Sequence, residues 1–147
     1  MDASVCVKLL DPRAKLPAYG SADAAGADLY ALTGGPVEIA PSGTALIPTG
    51  IAVAVPRGYV GLVYARSGLA CKRGLAPANK VGVIDADYRG EVMVYLHNHG
   101  VQPQVIEDGD RVAQLVITPC LTAAFEPVDE LDETRRGSGG FGSTGKR

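Results

Sequence analysis

Glycine and proline cut this chain into pieces too short for a long amphipathic helix. The intervals are rich in Val, Ile, Leu and Tyr, and several alternate with a period of two. Of 147 residues, 19 are Gly and 10 are Pro. That density of turn formers predicts many short strands. About ten are expected: Ser4–Leu10, Gly26–Ala31, Val37–Ile39, Thr44–Pro48, Gly50–Val55, Tyr59–Ala65, two arms around residues 81–96, Gln102–Ile106, Val112–Thr118 and Leu121–Val128. The fold class is therefore all-β, a jelly-roll or related β-barrel. Pro48-Thr49-Gly50 marks a strand break or bulge. One short helix is expected near Arg66–Lys72, with Ser67 as its cap.

The composition shifts at Asp129. Residues 1–128 are expected to form one β-barrel domain, and residues 129–147 a flexible arm ending in a glycine-rich tail. The net charge of −2 argues against a general nucleic-acid binder but leaves room for a small anionic ligand held by local arginines. No apolar run approaches the ~20 residues of a membrane span, and the N-terminus lacks a signal-peptide pattern. Cys6, Cys71 and Cys120 are odd in number and far apart, which predicts free thiols in a reducing compartment. A cytoplasmic protein is expected, or a nuclear one in a eukaryote.

The richest stretch is Val81-Gly82-Val83-Ile84-Asp85-Ala86-Asp87-Tyr88-Arg89-Gly90-Glu91. It reads as a β-hairpin presenting Asp85 and Tyr88. Asp85 and Asp87 are two apart, so they are a metal pair, a base with a structural acid, or ordinary turn acids. Arg66-Ser67-Gly68 joins a donor fork, a hydroxyl and a bare N–H, which suits phosphate as well as it suits a plain turn. Asp28 is a metal-shell acid or a hydrogen-bonded structural one, and Gln114 needs partners if buried. His97 and His99 lack a third ligand at metal spacing and read as a loop-edge pair. Pro119-Cys120 lacks the second cysteine of a zinc deaminase.

The tail matches G-x-G-x-x-G at Gly137, Gly139 and Gly142, but no strand and helix flank it, and Gly145-Lys146 lacks the Ser/Thr of a P-loop. What remains is a set of open N–H groups with Arg136, Ser143 and Thr144, suited to wrapping phosphate. Phe141 stands there among glycines and reads as a lid for a flat ligand.

Five ordered segments together resemble the trimeric deoxyuridine triphosphatase (dUTPase) family. They are Ala25–Ala31, Ala65–Ala70, Gly82–Gly90, Gly109–Leu115 and Arg136–Gly145. The resemblance implies a homotrimer with shared active sites that hydrolyses dUTP to dUMP and pyrophosphate with Mg2+, supplying dUMP and keeping uracil out of DNA. By carry-over, Asp85 is the base for the attacking water. Asn79, Gly82, Val83 and Ile84 read uracil, Tyr88 excludes a 2′-hydroxyl, and Met93 touches the nucleotide. Arg66, Ser67, Gly68 and Gln114 hold phosphates, and Arg136 acts like an arginine finger. Phe141 stacks on the base with Gly142, Ser143 and Thr144 around the phosphates, and Asp28 reaches Mg2+ through water. Asp87 becomes a structural acid, and Lys80 has no assigned role. A dCTP deaminase on a similar fold and a non-catalytic binding protein are the competing readings.

Overall fold

The computed structural model describes residues 4–140. Eleven strands and one helix follow in order: β1 (Cys6–Leu9), β2 (Ala18–Tyr19), β3 (Ala27–Tyr30), β4 (Val37–Ile39), β5 (Thr44–Ala54), β6 (Tyr59–Tyr64), α1 (Ser67–Arg73), β7 (Leu75–Pro77), β8 (Gly82–Ile84), β9 (Glu91–Asn98), β10 (Gln104–Ile106) and β11 (Arg111–Pro119). They form a four-stranded sheet β1-β5-β9-β7, a five-stranded sheet β2-β3-β11-β6-β8 and a two-stranded sheet β10-β4. Every pairing is antiparallel. This is the all-β, jelly-roll-like architecture expected from the turn spacing.

The core lies where the inner faces of these sheets meet. In β9, Val92, Val94, Leu96 and Asn98 point inward while Met93 and Tyr95 point out, as a period of two requires. They meet Ile47, Ile51 and Val53 of β5, and Leu29, Val63 and Leu115 of the opposite sheet. Each fully buried aliphatic side chain of this kind contributes about 1.5–3 kcal/mol. Asn98 is fully buried but satisfied: its amide donates to the Ile39 and Gln102 carbonyls (2.9 and 2.8 Å), and its oxygen accepts from Gly100 N–H at 2.9 Å. It fastens the end of β9 to β4 and to the following turn.

Four local expectations are resolved or corrected. First, of the break or bulge expected at Pro48-Thr49-Gly50, the bulge forms and β5 runs on through it. The proline is absorbed by a bulge in which Thr49, Gly50 and Ile51 stand opposite Val92 alone. Second, β8 and β9 do not pair. β8 adds to β6 and β9 lies between β5 and β7, so the predicted hairpin is a corner where the chain changes sheets. Third, the helix is capped by the backbone of Arg66, in extended conformation, and no side chain, Ser67 included, bonds its first turn. Fourth, Leu121–Val128 forms no strand. Its side chains find no apolar face in their own chain, leaving Leu121 98% and Phe125 94% exposed. The short strand β2 has no counterpart among the strands expected from the sequence.

Candidate active site

The sheet-changing corner makes a cleft. Ile84 is the last residue of β8, and an N–H from Tyr88 to the Asp85 carbonyl (3.1 Å) closes a turn over residues 85–88. Arg89 locks that turn, its guanidinium donating to the Ala86 and Tyr88 carbonyls at 2.8 and 2.7 Å. Gly90 follows because the Tyr88 ring folds over it: a Cβ there would lie 2.6 Å from the ring Cζ. The Tyr88 hydroxyl then donates to the Glu91 carbonyl at 3.0 Å. The cleft between this corner and β9 encloses about 300 Å3, at the small end of ligand sites.

Seven of the residues singled out in the sequence line this one cleft: Asn79, Gly82, Val83, Ile84, Asp85, Tyr88 and Met93. Gly82 is buried, and the space its missing Cβ would take is bordered by the Asn79 amide nitrogen at 3.2 Å. Backbone and amide are thus presented to the cleft side by side. Asp85 is exposed at the turn, with its carboxylate free of any ion pair among the described residues. Glu91, Leu46 and Tyr95 also line the cleft and were not anticipated.

A second group stands apart from the cleft, where β3, β6 and β11 run side by side. Asp28 and Gln114 face each other across β3 and β11. Arg66 donates its Nε to Asp28 Oδ1 at 2.7 Å, and Arg111 donates its Nη1 to Oδ2 at 3.1 Å. Two guanidinium groups therefore share one carboxylate, leaving a net positive charge. Gln114 donates to the Ala65 carbonyl at 2.9 Å, ahead of the Arg66-Ser67-Gly68 turn. Gly26 leaves room for it, since a Cβ there would sit 2.5 Å from the Gln114 Oε1 and displace the amide. Arg111 was missed because only strand pairing brings it to Asp28.

Asp28 does not suit a directly held metal. Both its oxygens accept from arginines, and no group of three His, Cys, Asp or Glu that could hold an ion exists among the described residues. Its place is that of an arginine anchor; a contact to Mg2+ through water, the form the resemblance implies, needs no directly ligating oxygen. His97 and His99 sit edge to face with centroids 4.4 Å apart, and His97 Nδ1 lies 3.2 Å from the Thr44 hydroxyl. Burial, then the charge of Lys80, lowers the His99 pKa.

In the arm, Arg136 turns back on itself and donates to the Gly139 carbonyl at 2.7 Å. Phe141, Gly142, Ser143 and Thr144 lie outside the described residues. Cys6, Cys71 and Cys120 are free and exposed. Among the described residues, no helix is long and apolar enough to cross a membrane.

Fold and cleft together define a class: a jelly-roll-like β-protein with an acid-bearing cleft where the chain passes from one sheet to the other. The dUTPase family model matches residues 12–145. The chain is 52% identical over 142 residues to a deoxyuridine 5′-triphosphate nucleotidohydrolase of Syntrophotalea carbinolica, covering 97% of each. It is 53% identical over 136 residues to the enzyme of that name from Desulfitobacterium hafniense, covering 92% of this chain and 90% of the other. Among solved structures, the dUTPase of Staphylococcus bacteriophage 80alpha with dUpNHpp superposes with a TM-score of 0.88 at 31% identity, over 98% of this chain and 99% of that one. A variant dUTPase of phage phi11 of S. aureus, described as coordinating a structural Mg(II) ion, gives 0.78 at 29% identity, over 87% and 98%. The chain belongs to the dUTPase family.

Proposed function

We propose that this chain hydrolyses dUTP to dUMP and pyrophosphate, with Mg2+ arriving on the triphosphate as part of the substrate. The observation that carries the reading is the shared cleft: in a member of this family, Asp85 stands beside Asn79, the Gly82–Ile84 backbone and Tyr88. In the proposed reaction the Asp85 carboxylate takes a proton from a water as the water oxygen attacks the α-phosphorus. The bond to the bridging oxygen breaks and pyrophosphate leaves. A general base contributes typically 10²–10⁴-fold.

Uracil is read by the Gly82–Ile84 backbone and the Asn79 amide, which leave the amino group of cytosine unmatched. Unpaired polar groups make such rejection strong. Tyr88 lies against the deoxyribose, and Met93 borders the nucleotide. Arg66, Ser67, Gly68 and Gln114 hold phosphates, oriented through the Asp28 anchor. Arg136 stabilises charge on the terminal phosphate. Phe141 stacks on the base, with Gly142, Ser143 and Thr144 around the phosphates.

These groups work as a homotrimer in which one protomer supplies the cleft, a second the arginine anchor and a third its arm. The division into a domain of residues 1–128 and an arm of residues 129–147 belongs to this assembly. Supporting it, Arg66 and Gln114 do not line the cleft of their own chain. Leu121, Phe125 and Leu131 are left open, and an apolar groove of about 630 Å3 lies along Val7, Leu16, Tyr59 and Ile117.

Incubation with dUTP, dCTP, dTTP and UTP plus Mg2+, with pyrophosphate and ammonia both assayed, tests the reading. Pyrophosphate from dUTP alone is expected. Equal turnover of all four would overturn the specificity, and ammonia from dCTP would overturn the reaction. Mass measurement in solution tests the assembly, which an active monomer would refute.

A further inference from the structure

Glu91 lines the cleft, yet its carboxylate is turned away from reaction chemistry. Its Oε1 accepts from the Gly50 N–H at 2.8 Å, across the gap between β9 and β5. That N–H needs a partner. Gly50 is buried inside the β5 bulge, with φ +69, where the regular ladder to β9 is interrupted. A Cβ at Gly50 would overlap Leu32 and Ala14, so glycine is the residue that suits this point of the bulge. Thr49 adds a second tie from the same bulge, its hydroxyl donating to the Val92 carbonyl. Glu91 thus pairs with Ala52 in the β5 ladder just past the bulge, and these two side chains add ties across the bulge itself.

The carbonyl of Glu91 is the acceptor for the Tyr88 hydroxyl at 3.0 Å. Tyr88 is otherwise 43% exposed, with its ring folded over the Gly90 backbone. One residue therefore carries both ends of a relay: its side chain grips the rigid bulge, and its backbone grips the ring. A carboxylate acceptor strengthens the first grip, because charge-assisted hydrogen bonds are the stronger kind.

We infer that Glu91 is a positioning residue for sugar discrimination, holding the Tyr88 ring by fixing the carbonyl on which its hydroxyl rests. The inference deepens the proposed dUTP reading and rests on it. Glu91 takes no proton and touches no phosphate in this role. What the role needs is an acceptor oxygen at this place, so an amide, though the weaker acceptor, keeps the link that a leucine removes.

The test compares kcat/KM for dUTP and for UTP, both with Mg2+, in the full-length chain. Glu91→Leu should lower the dUTP:UTP ratio by roughly threefold to tenfold, the weight of one positioned hydrogen bond. Glu91→Gln, whose Oε1 still accepts from Gly50, should keep the wild-type ratio. Tyr88→Phe cuts the same relay one link further on. It should lower the ratio by a similar factor, with no further loss when combined with Glu91→Leu. A purely structural Glu91 would depress both substrates alike and leave the ratio unchanged, which would overturn the inference. So would a Glu91→Gln variant as relaxed as Glu91→Leu. Should Glu91→Leu fail to fold, Tyr88→Phe decides alone, and an unchanged ratio there is refuting. A wild-type chain inert toward dUTP would instead refute the functional reading beneath it.

Discussion

Replacing Gly90 by alanine puts a methyl group where the Tyr88 ring lies. The new Cβ would be 2.6 Å from the ring Cζ and 3.0 Å from Cε2, against an optimal carbon–carbon separation of about 3.5–4.0 Å. One of the two must move. Gly90 is not in the left-handed region, so its backbone accepts alanine without strain. The ring is 43% exposed and held by one hydrogen bond to the Glu91 carbonyl. Losing that bond costs about 0.5–1.5 kcal/mol. Removing a glycine from the unfolded chain returns about 0.4–1 kcal/mol. The ring should therefore swing out while stability changes by less than about 1 kcal/mol, a midpoint shift near 0.5 M urea for a slope of about 2 kcal/mol/M. The consequence for selectivity is larger. A packed wall rejects an added hydroxyl by roughly 10²-fold, and most of that should disappear from the dUTP:UTP ratio. Urea titration at one protein concentration and paired kcat/KM values give both numbers. A Gly90→Ala protein that keeps its sugar preference would show that the ring does not depend on this contact. A loss of more than about 3 kcal/mol, the upper range for overpacking, would show that the backbone yielded instead.

Three other substitutions probe the remaining parts. Asp85→Asn should lower kcat by roughly 10²–10⁴-fold while isothermal titration still detects a non-hydrolysable dUTP analogue; an active variant would move the base elsewhere. Asp28→Asn leaves Arg66 and Arg111 sharing a neutral acceptor in a site where the Asp28 side chain is 13% exposed. Thermal unfolding should show a loss of about 1–3 kcal/mol, below that of a fully buried pair because Arg111 is 52% exposed. Asp108 accepts N–H groups from Gly34 and Thr33, and these bonds hold its pKa below the usual 3.8. A carboxylate lowered on folding stabilises the protein above its unfolded value and loses that contribution as pH falls through the lower folded value. Melting temperature should thus drop more steeply below about pH 4 in wild type than in Asp108→Asn, and parallel curves would refute this.

Strand content was legible because alternation and turn residues are local signals. Val92, Val94 and Leu96 declare an inward face without reference to any other segment. What a strand pairs with is not local, and that is where the reading failed. The run from Gly82 to Leu96 has the look of a hairpin, but β8 is claimed by β6 and β9 by β5 and β7. Pro48 left a break and a bulge both open because nothing nearby announces that Val92 will face it. The same limit hid Arg111, whose meeting with Asp28 depends on the β3–β11 register. Asp85, Tyr88 and Asn79 were legible for the opposite reason: they lie within ten residues of one another, so a single corner gathers them.

That corner joins the two sheets, and its cleft shares part of its wall with the core. Val63, Ile84, Val92 and Val94 belong at once to the hydrophobic core and to the cleft lining. The site is therefore a gauge of how far apart the sheets stand. A core substitution that changes volume by one methylene, even one remote from Asp85, alters that spacing before it threatens the fold, because close-packed interiors transmit strain rather than absorb it. Selection on this chain's interior thus cannot be separated from selection on its catalysis. Variants chosen only for a higher melting temperature should drift in nucleotide selectivity although no residue that touches the nucleotide has changed.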